Sequence, residues 1–331
     1  MAESEKRISD NNNKQKYREF FRTNPDVPIF FNSSWLDIVC AKGRWDVVMT
    51  TDKAGEITGF LPFYITKKYG QNAIIMPPLT PYGGIFIFAN QASKQESSIK
   101  NEREIIIHLI DALPKNIVYY SQSFFYHFKN WLPFYWRRYL QTTRYSFVID
   151  HLQSWNIEQV SSNIRNKIKK ADQELKIITI DDPSIIYKQI YNVLYNKDIH
   201  LSLSLDTFLA LDRWLKSEGK RLMLGAVDSQ GNIHASIYLL FDLDKTYSLI
   251  IGSDISLRQS GAVPFVIYHA IKESSKRASA FDFEGSMLES LFDLFAGFGG
   301  TLTPYYRIYK AKNIFWDIAY RIKSYYDKSN R

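Results

Sequence analysis

A β-hairpin pattern that occurs once in each half of the sequence most constrains the fold. Residues 47–62 read as strand, Asp52-Lys-Ala-Gly55 turn and strand, and residues 222–239 repeat that order around Asp228-Ser-Gln-Gly231. Such turns are tight, because the Asp side chain accepts hydrogen bonds from nearby backbone N–H groups and Gly tolerates positive φ. This turn chemistry is common, which leaves coincidence open, but its recurrence at corresponding places favours two duplicated domains.

The length of the chain supports the same division. With 331 residues it has room for two hydrophobic cores. We predict a flexible N-terminal segment at 1–29, an N-terminal domain at 30–152, and a C-terminal domain with a terminal helix at 153–331. Strand-like and helical stretches alternate in both halves. The predicted fold class is therefore α/β (α+β), with mixed sheets covered by helices.

Several classes of site are disfavoured by the residues that are present. The only cysteine, Cys40, lies in an apolar stretch, which indicates a buried structural thiol and excludes an internal disulfide. The six histidines show no paired metal-ligand spacing, and the sequence contains neither a Gly-x-Ser-x-Gly elbow nor a full phosphate-binding loop. We therefore expect no metal site, no hydrolase chemistry and no tightly bound cofactor.

The net charge and the N-terminal sequence limit which partners and which cellular location we expect. The formal net charge of +8 is a modest excess, compatible with anionic ligands such as CoA, nucleotide sugars or tRNA, and we expect no DNA partner. No apolar signal core follows Met1, and no segment has the length of a membrane span. These features predict a cytoplasmic location and leave peripheral membrane contact open.

The strongest local signal is Phe281-Asp-Phe-Glu-Gly-Ser286. Strand alternation puts the two phenylalanines on one face, towards the core, and the carboxylates of Asp282 and Glu284 on the other. A carboxylate at a strand end could accept a proton from an attacking amine or hold that amine as an ammonium. The alternative is structural, because Ser286 and Glu289 have the spacing of a capping box for the next helix.

A second signal lies upstream, at Arg258-Gln259-Ser260-Gly261-Ala262, between a strand and a helix. A small-residue turn that opens a helix favours phosphate, because the first amides are unpaired and the helix dipole attracts anions. The spacing resembles the pyrophosphate-binding motif of GNAT acetyltransferases, Gln/Arg-x-x-Gly-x-Gly/Ala. Arg258 and Gly261 match that motif, whereas Val263 replaces its last small residue.

The order of features in the second half resembles FemAB-type proteins. A basic helix, a hairpin, a helix, Asp-Phe-Glu-Gly, Phe298-Gly-Gly300 and Pro304-Tyr-Tyr-Arg-Ile308 follow one another. The resemblance extends to acetyltransferase-like domains of a cellulose-biosynthesis acyltransferase group, and it covers residues 153–312 well and 30–149 loosely. It implies tandem GNAT folds and transfer of an acyl or aminoacyl group to an amine, with acyl-CoA or aminoacyl-tRNA as co-substrate.

Two further groups of residues are candidates for substrate binding. In the basic helix, Arg165 and Lys169 lie off the apolar stripe and could contact phosphates, although a solvated helix face explains them equally well. In the strand near the C-terminus, Tyr305, Arg307 and Lys310 could line an acceptor cleft, where Arg307 or Lys310 would meet a carboxylate or phosphate. The alternative for that strand is a structural ladder of aromatic side chains.

The predicted activity is transfer of an acyl group from acyl-CoA to an amine of a small molecule or cell-envelope precursor. The catalytic candidates are Glu284 and Asp282. One alternative is a tRNA-dependent aminoacyl transfer to a peptidoglycan precursor, as the FemAB resemblance implies. The other is a catalytically silent binding protein that retains the fold.

Overall fold

The computed structural model describes residues 2–88, 94–196, 201, 203–285 and 287–318, with side chains from residue 13 onward. The chain divides into two compact units. Unit 1 combines the described residues of Met1–Arg144 and of Tyr305–Lys323. Unit 2 contains the described residues of Tyr145–Pro304. No described helix is both long enough and apolar enough to cross a membrane.

The first part of the chain contains four helices and six strands among the described residues. They are α1 (Ala2–Thr23), α2 (Ser33–Val39), β1 (Arg44–Thr51), β2 (Ile57–Lys68), β3 (Gln71–Ile75), β4 (Phe86–Ile87), α3 (Gln95–Asp111), β5 (Tyr119–Ser123), α4 (Leu132–Trp136) and β6 (Leu140–Ile149). The boundary between the two units falls inside β6.

The second part supplies the remaining elements. They are α5 (Ser162–Glu174), β7 (Lys176–Thr179), α6 (Ser184–Tyr195), α7 (Leu205–Ser217), β8 (Arg221–Val227), β9 (Ile233–Asp242), β10 (Lys245–Ser253), α8 (Ala262–Ser274), β11 (Ala280–Asp282), α9 (Glu289–Gly297) and β12 (Thr301–Ala311). The second boundary falls inside β12, so that its larger part, from Tyr305, belongs to unit 1.

The two units share one strand plan. In unit 1 the order is β1-β2-β3-β5-β12, in which β3 and β5 are parallel and β12 is antiparallel to β5. In unit 2 the order is β8-β9-β10-β11-β6, with β7 outside β8, and here β10 and β11 are parallel while β6 is antiparallel to β11. A helix lies between the parallel strands along the chain in both, α3 in unit 1 and α8 in unit 2.

The hairpins that open this plan agree down to their hydrogen bonds. In both turns the Asp Oδ1 accepts from the N–H groups two and four residues later, at 2.8 and 2.9 Å for Asp52 and at 2.9 Å in both cases for Asp228. Gly55 and Gly231 have φ of 89° and 88°. Each hairpin also has a register shift immediately before its aspartate. The shared plan and the shared turn support the duplication that the sequence indicates.

Unit 2 has its core beneath α5 and α8. The stripe predicted for the basic helix is buried there, and it consists of Ile164, Ile168, Ala171 and Leu175. The two phenylalanines beside Asp282 are buried in the same core, as the strand alternation predicts. A separate core in unit 1 lies between α3 and strands β2, β3 and β5 and includes Ile308 of β12.

The segment 1–29 differs from the expected flexible tail. It contains α1, and Tyr17 of that helix is fully buried. The Tyr17 hydroxyl donates a hydrogen bond of 2.6 Å to the Phe31 carbonyl oxygen, and its ring packs edge-on against Phe60 at 5.1 Å. The polar residues before Tyr17 suggested disorder, whereas aromatic residues at Tyr17 and at i+3 and i+4 provide one helix face with a core contact.

Candidate active site in unit 2

The parallel strands β10 and β11 separate at one end. Their register runs only from Lys245 opposite Ala280 to Tyr247 opposite Asp282, although β10 continues to Ser253. The chain after Asp282 follows β6 instead, because the Phe283 N–H donates to the Phe147 carbonyl oxygen at 3.0 Å. In α/β sheets, ligands bind beyond the carboxyl ends of strands that part in this way.

The edge of β10 beyond this point is irregular. On its other side the register with β9 shifts between Ser248 and Ile250, so that Leu249 is an extra residue in the ladder. A bulge of this kind bends a strand and frees backbone groups from regular pairing. Together the bulge and the short register leave backbone N–H groups of β10 without a partner strand on the β11 side among the described residues.

The loop predicted to bind a phosphate lies directly after β10. Residues Arg258–Ser260 form a 3₁₀ turn, Gly261 follows with φ of 74°, and α8 begins at Ala262 without a side-chain cap. A Cβ at Gly261 would lie 2.9 Å from the Lys167 carbonyl oxygen of α5, so glycine is required both for the conformation and for the close approach of α5. Arg258 and Gln259 are exposed, and the Ser260 hydroxyl donates to the Leu257 carbonyl at 2.8 Å.

The corresponding region of unit 1 is built differently. After β3 the chain contains Pro77-Pro78 and Pro81, which have no N–H group to offer an anion. It then returns to β5, where the Gly83 N–H donates to the Ser123 carbonyl oxygen at 2.8 Å and Gly83 pairs in parallel with Phe124. Backbone therefore bridges the end of β5 in unit 1, whereas no described backbone does so at the end of β11 in unit 2.

Asp282 is a buried carboxylate that organises the end of β11. It is fully inaccessible and accepts hydrogen bonds from the Ser146 hydroxyl of β6 and, at 2.8 Å, from the Glu284 N–H. It also acts on Lys245 of β10, where burial lowers the pKa of the ammonium group and the negative charge of Asp282 raises it. Asp282 thus fixes the backbone on which Glu284 is carried.

Glu284 is held in an unusual conformation. Its φ is +61°, which is uncommon for a residue other than glycine, and Gly285 follows with +65°. A Cβ at Gly285 would lie 2.7 Å from the Tyr145 carbonyl oxygen, so only glycine fits there. Backbone strain of this kind persists where the surroundings over-determine it, and it clusters at functional sites.

The Glu284 carboxyl group is shielded from solvent. The residue as a whole is half-buried, but its Oε1 is inaccessible and has no hydrogen-bond partner among the described residues. Burial, and then the neighbouring charge of Asp282, raise the pKa of this carboxyl well above its usual value. A carboxyl with these properties can bind and release a proton at higher pH than an exposed glutamate.

Sequence reasoning missed the polar neighbours that β6 and β10 bring to this place. Ser146 contacts Asp282, and Tyr247 lies opposite Asp282 in the parallel register. Burial, followed by the charges of Asp282, Asp242 and Glu284, raises the pKa of the Tyr247 phenol well above its usual value. Only the pairing of distant strands reveals this cluster. The expected cap, Ser286, lies outside the described residues, and α9 begins at Glu289 without a side-chain cap.

The remaining predicted residues fall into two groups. Arg165 and Lys169 are on α5 in unit 2, where Lys169 is exposed and an Arg165 Nη contacts the Glu158 carbonyl oxygen at 3.4 Å. Tyr305, Arg307 and Lys310 are on the part of β12 that belongs to unit 1.

Of those three, Lys310 has a structural environment. Its Nζ donates to the Arg137 carbonyl oxygen at 2.8 Å, at the end of α4, and lies 4.8 Å from the centre of the Tyr139 ring. Tyr305 packs edge-on against the buried Tyr82 at 5.2 Å. No described group of three or more His, Cys, Asp or Glu side chains is placed to hold a metal ion.

Known structures share this architecture at low sequence identity. The structure of FemX matches with a TM-score of 0.56 and 12% identity over 88% of this chain and 95% of FemX. A tandem GNAT protein from the clavulanic acid biosynthesis pathway matches with a TM-score of 0.51 and 8% identity, over 86% and 96% of the two chains.

A third match is the C-terminal domain of a putative lysylphosphatidylglycerol synthetase from Agrobacterium fabrum. Its TM-score is 0.52 at 11% identity, and the match covers 92% of this chain and 93% of that domain. No protein-family model and no curated protein sequence matches the chain. The chain therefore has a tandem GNAT fold, the acyl-CoA N-acyltransferase fold of FemAB-like proteins.

Proposed function

We propose that this protein transfers an acyl group from acyl-CoA to an amine of a small molecule or cell-envelope precursor. The observation that carries the proposal is the separation of β10 and β11 in unit 2. Because these strands are parallel, the loop after β10 and the Glu284 carboxyl after β11 lie at the same edge of the sheet. An anion site and a buried proton acceptor beside an open strand gap are the parts that amine acylation requires.

Each part has a role in the reaction. The N–H groups of Ala262 and Val263, which precede Pro264 at the start of α8, would hold the phosphates of the donor together with the Arg258 guanidinium. The thioester carbonyl would then lie in the gap beside β10. Backbone N–H groups of β10 would stabilise the negative charge that develops on the carbonyl oxygen. The amine nitrogen attacks the carbonyl carbon and forms the C–N bond, Glu284 accepts a proton from that nitrogen, and the C–S bond breaks to release CoA thiolate.

The donor site is tested by calorimetry with acetyl-CoA. We expect Arg258→Ala to weaken binding about tenfold, the size of one charge-assisted hydrogen bond. Lys272→Ala is the matched control, because Lys272 is also an exposed cation. It lies in the last turn of α8, at the opposite end of the helix from the loop. Equal affinity of native protein and Arg258→Ala would remove Arg258 from the donor site.

Aminoacyl-tRNA is a second candidate donor, and α5 favours it. Lys167, Lys169 and Lys170 are exposed on this helix, and the Lys167 backbone lies against Gly261 of the anion loop. Binding of tRNA through these side chains predicts an affinity that falls steeply with salt, and Lys169→Gln should lower the slope of log K against log salt by about one phosphate contact. Binding of donors without any transfer would favour the silent binding protein instead.

A further inference from the structure

Unit 1 contains a half-buried cation, Arg307, that has no acidic partner among the described residues. Arg307 of β12 uses its Nε to donate a hydrogen bond of 2.9 Å to the Ser121 hydroxyl. Its two terminal nitrogens make no hydrogen bond within the described part of the chain, and none of the described ion pairs includes it. Four of the five N–H donors of this guanidinium are therefore available.

The surroundings of Arg307 do not compensate its charge. Burial lowers the pKa of the guanidinium, and the titratable groups that act on it are Tyr119, Arg144, Tyr305 and Tyr309. These are three phenols and a second cation. A buried charge is costly unless it is paired, so a site of this composition favours an anion from outside the chain.

In unit 2, by contrast, the charge of the buried Arg221 is neutralised by carboxylates. The Arg221 side chain is only 7% exposed, and it forms ion pairs with Asp181 at 2.9 Å and with Asp212 at 3.2 Å. The same chain thus pairs the buried guanidinium of Arg221 with two carboxylates, whereas the half-buried guanidinium of Arg307 has none among the described residues.

The register of β12 places further donors beside Arg307. Arg307 lies opposite Ser123 and Tyr309 lies opposite Ser121 in the antiparallel pair of β12 with β5, so hydroxyl groups surround the guanidinium on one strand face. Lys310 belongs to the other face, where Ile308 is in the core. Of the two cations, only Arg307 is thus placed on the strand face that carries these hydroxyl groups.

We propose that unit 1 binds a carboxylate or phosphate group of a small ligand at Arg307, with Arg144 as the second cation. The end of the guanidinium formed by its two Nη atoms matches such an oxyanion bidentately. The hydroxyl groups of Ser123 and Tyr309, on the same strand face, can donate to its remaining oxygens. The identification of this ligand as the acceptor rests on the proposed function. The acceptor would then be an amine that also carries a carboxylate or phosphate group. The anion site itself does not depend on it.

The experiment uses the full chain with inorganic phosphate and with acetate as separate probes, and with chloride at equal ionic strength as the reference. We expect phosphate or acetate to raise the native Tm above chloride, and the anion that does so at lower concentration identifies the class of the group. Arg307→Gln should abolish the shift. Arg307→Lys, which keeps the charge but loses the fork, should weaken binding at least tenfold, and Lys310→Gln should leave it unchanged.

Three results overturn the proposal. They are a full shift in Arg307→Gln, an equal shift with chloride, and no shift in native protein with either probe. If Arg307→Gln does not fold, Arg307→Lys and Arg144→Gln decide, because unchanged affinity in both excludes the site. Failure of the proposed function is separate, since a protein that transfers no acyl group can still bind phosphate through Arg307, and an active enzyme can lack that binding.

Discussion

Glu284 combines two features that cost stability, a positive φ and a shielded carboxyl group without a hydrogen-bond partner for Oε1. Natural chains keep such features where activity needs them. The neighbouring Asp282 accepts hydrogen bonds at its Oδ1 from the Ser146 hydroxyl and from the Glu284 N–H, and so holds the backbone of Glu284 in place. We therefore assign Asp282 to positioning and expect the proton transfer at Glu284.

Replacement of Glu284 by Gln separates these roles. The amide is nearly isosteric, so we expect a folded protein whose turnover falls about a hundredfold or more, the usual contribution of a general base. Steady-state rates with the donor that binds would measure this effect. Glu289→Gln is the matched control, because Glu289 is an exposed carboxylate a few residues away at the start of α9. Native turnover in folded Glu284→Gln would end the catalytic assignment.

The same variant should change how stability depends on pH. Because the pKa of Glu284 is raised in the native state, the folded chain binds this proton more tightly than the unfolded chain. In the unfolded chain a glutamate has a pKa of about 4.3. Its contribution to stability is therefore complete below that pH and is lost as the pH rises towards the native pKa. We expect Glu284→Gln to gain stability relative to native protein as the pH rises from about 4 to 8, measured by denaturant unfolding. Parallel curves would contradict the raised pKa.

At the scale of elements, Gly261 joins the anion loop to two helices. Gly261→Ala should lower the free energy of unfolding by more than the roughly 1 kcal/mol expected of a left-handed alanine, because its Cβ would meet the Lys167 carbonyl oxygen at 2.9 Å. Gly231→Ala is the matched control, since Gly231 has φ of 88° and open space around it. Urea unfolding measures both, and equal losses would show that α5 is not held by this contact.

The elements themselves were largely predictable, whereas their partners were not. The hairpin predicted at 222–239 is formed by β8 and β9, and the alternation of Phe281 and Phe283 correctly predicted their burial in the core. Local periodicity supplies such information. The bond from Ser146 to Asp282 spans 136 residues and that from Arg307 to Ser121 spans 186, and no local pattern encodes either. The shielded Glu284 and the unpaired Arg307 therefore became visible only with the strand order.

For the whole molecule, the strand order pairs segments within each unit that are far apart in the sequence. Unit 1 receives its antiparallel strand beside β5 from the C-terminal region, through β12, while unit 2 receives the strand beside β11 from β6. Ile308 and Phe147 are buried in the cores of units 1 and 2 respectively. The sequence-based boundary at 152/153 remains a prediction. It assigns β6 to the N-terminal domain and β12 to the C-terminal domain, whereas residues 145–149 of β6 lie in unit 2 and residues 305–311 of β12 lie in unit 1.

Hydrogen exchange on the native protein in increasing denaturant distinguishes the two divisions. Residues in one cooperative unit lose protection together. We expect the backbone amides of 305–311 to exchange with those of β2 and β3, and the amides of 146–149 to exchange with those of β9 and α8. Amides inside α3 and α5 serve as references, because either division assigns them to the same units. Exchange of 305–311 together with β9 would instead support the division at 152/153. A single transition for all of these segments would show that the two units unfold as one.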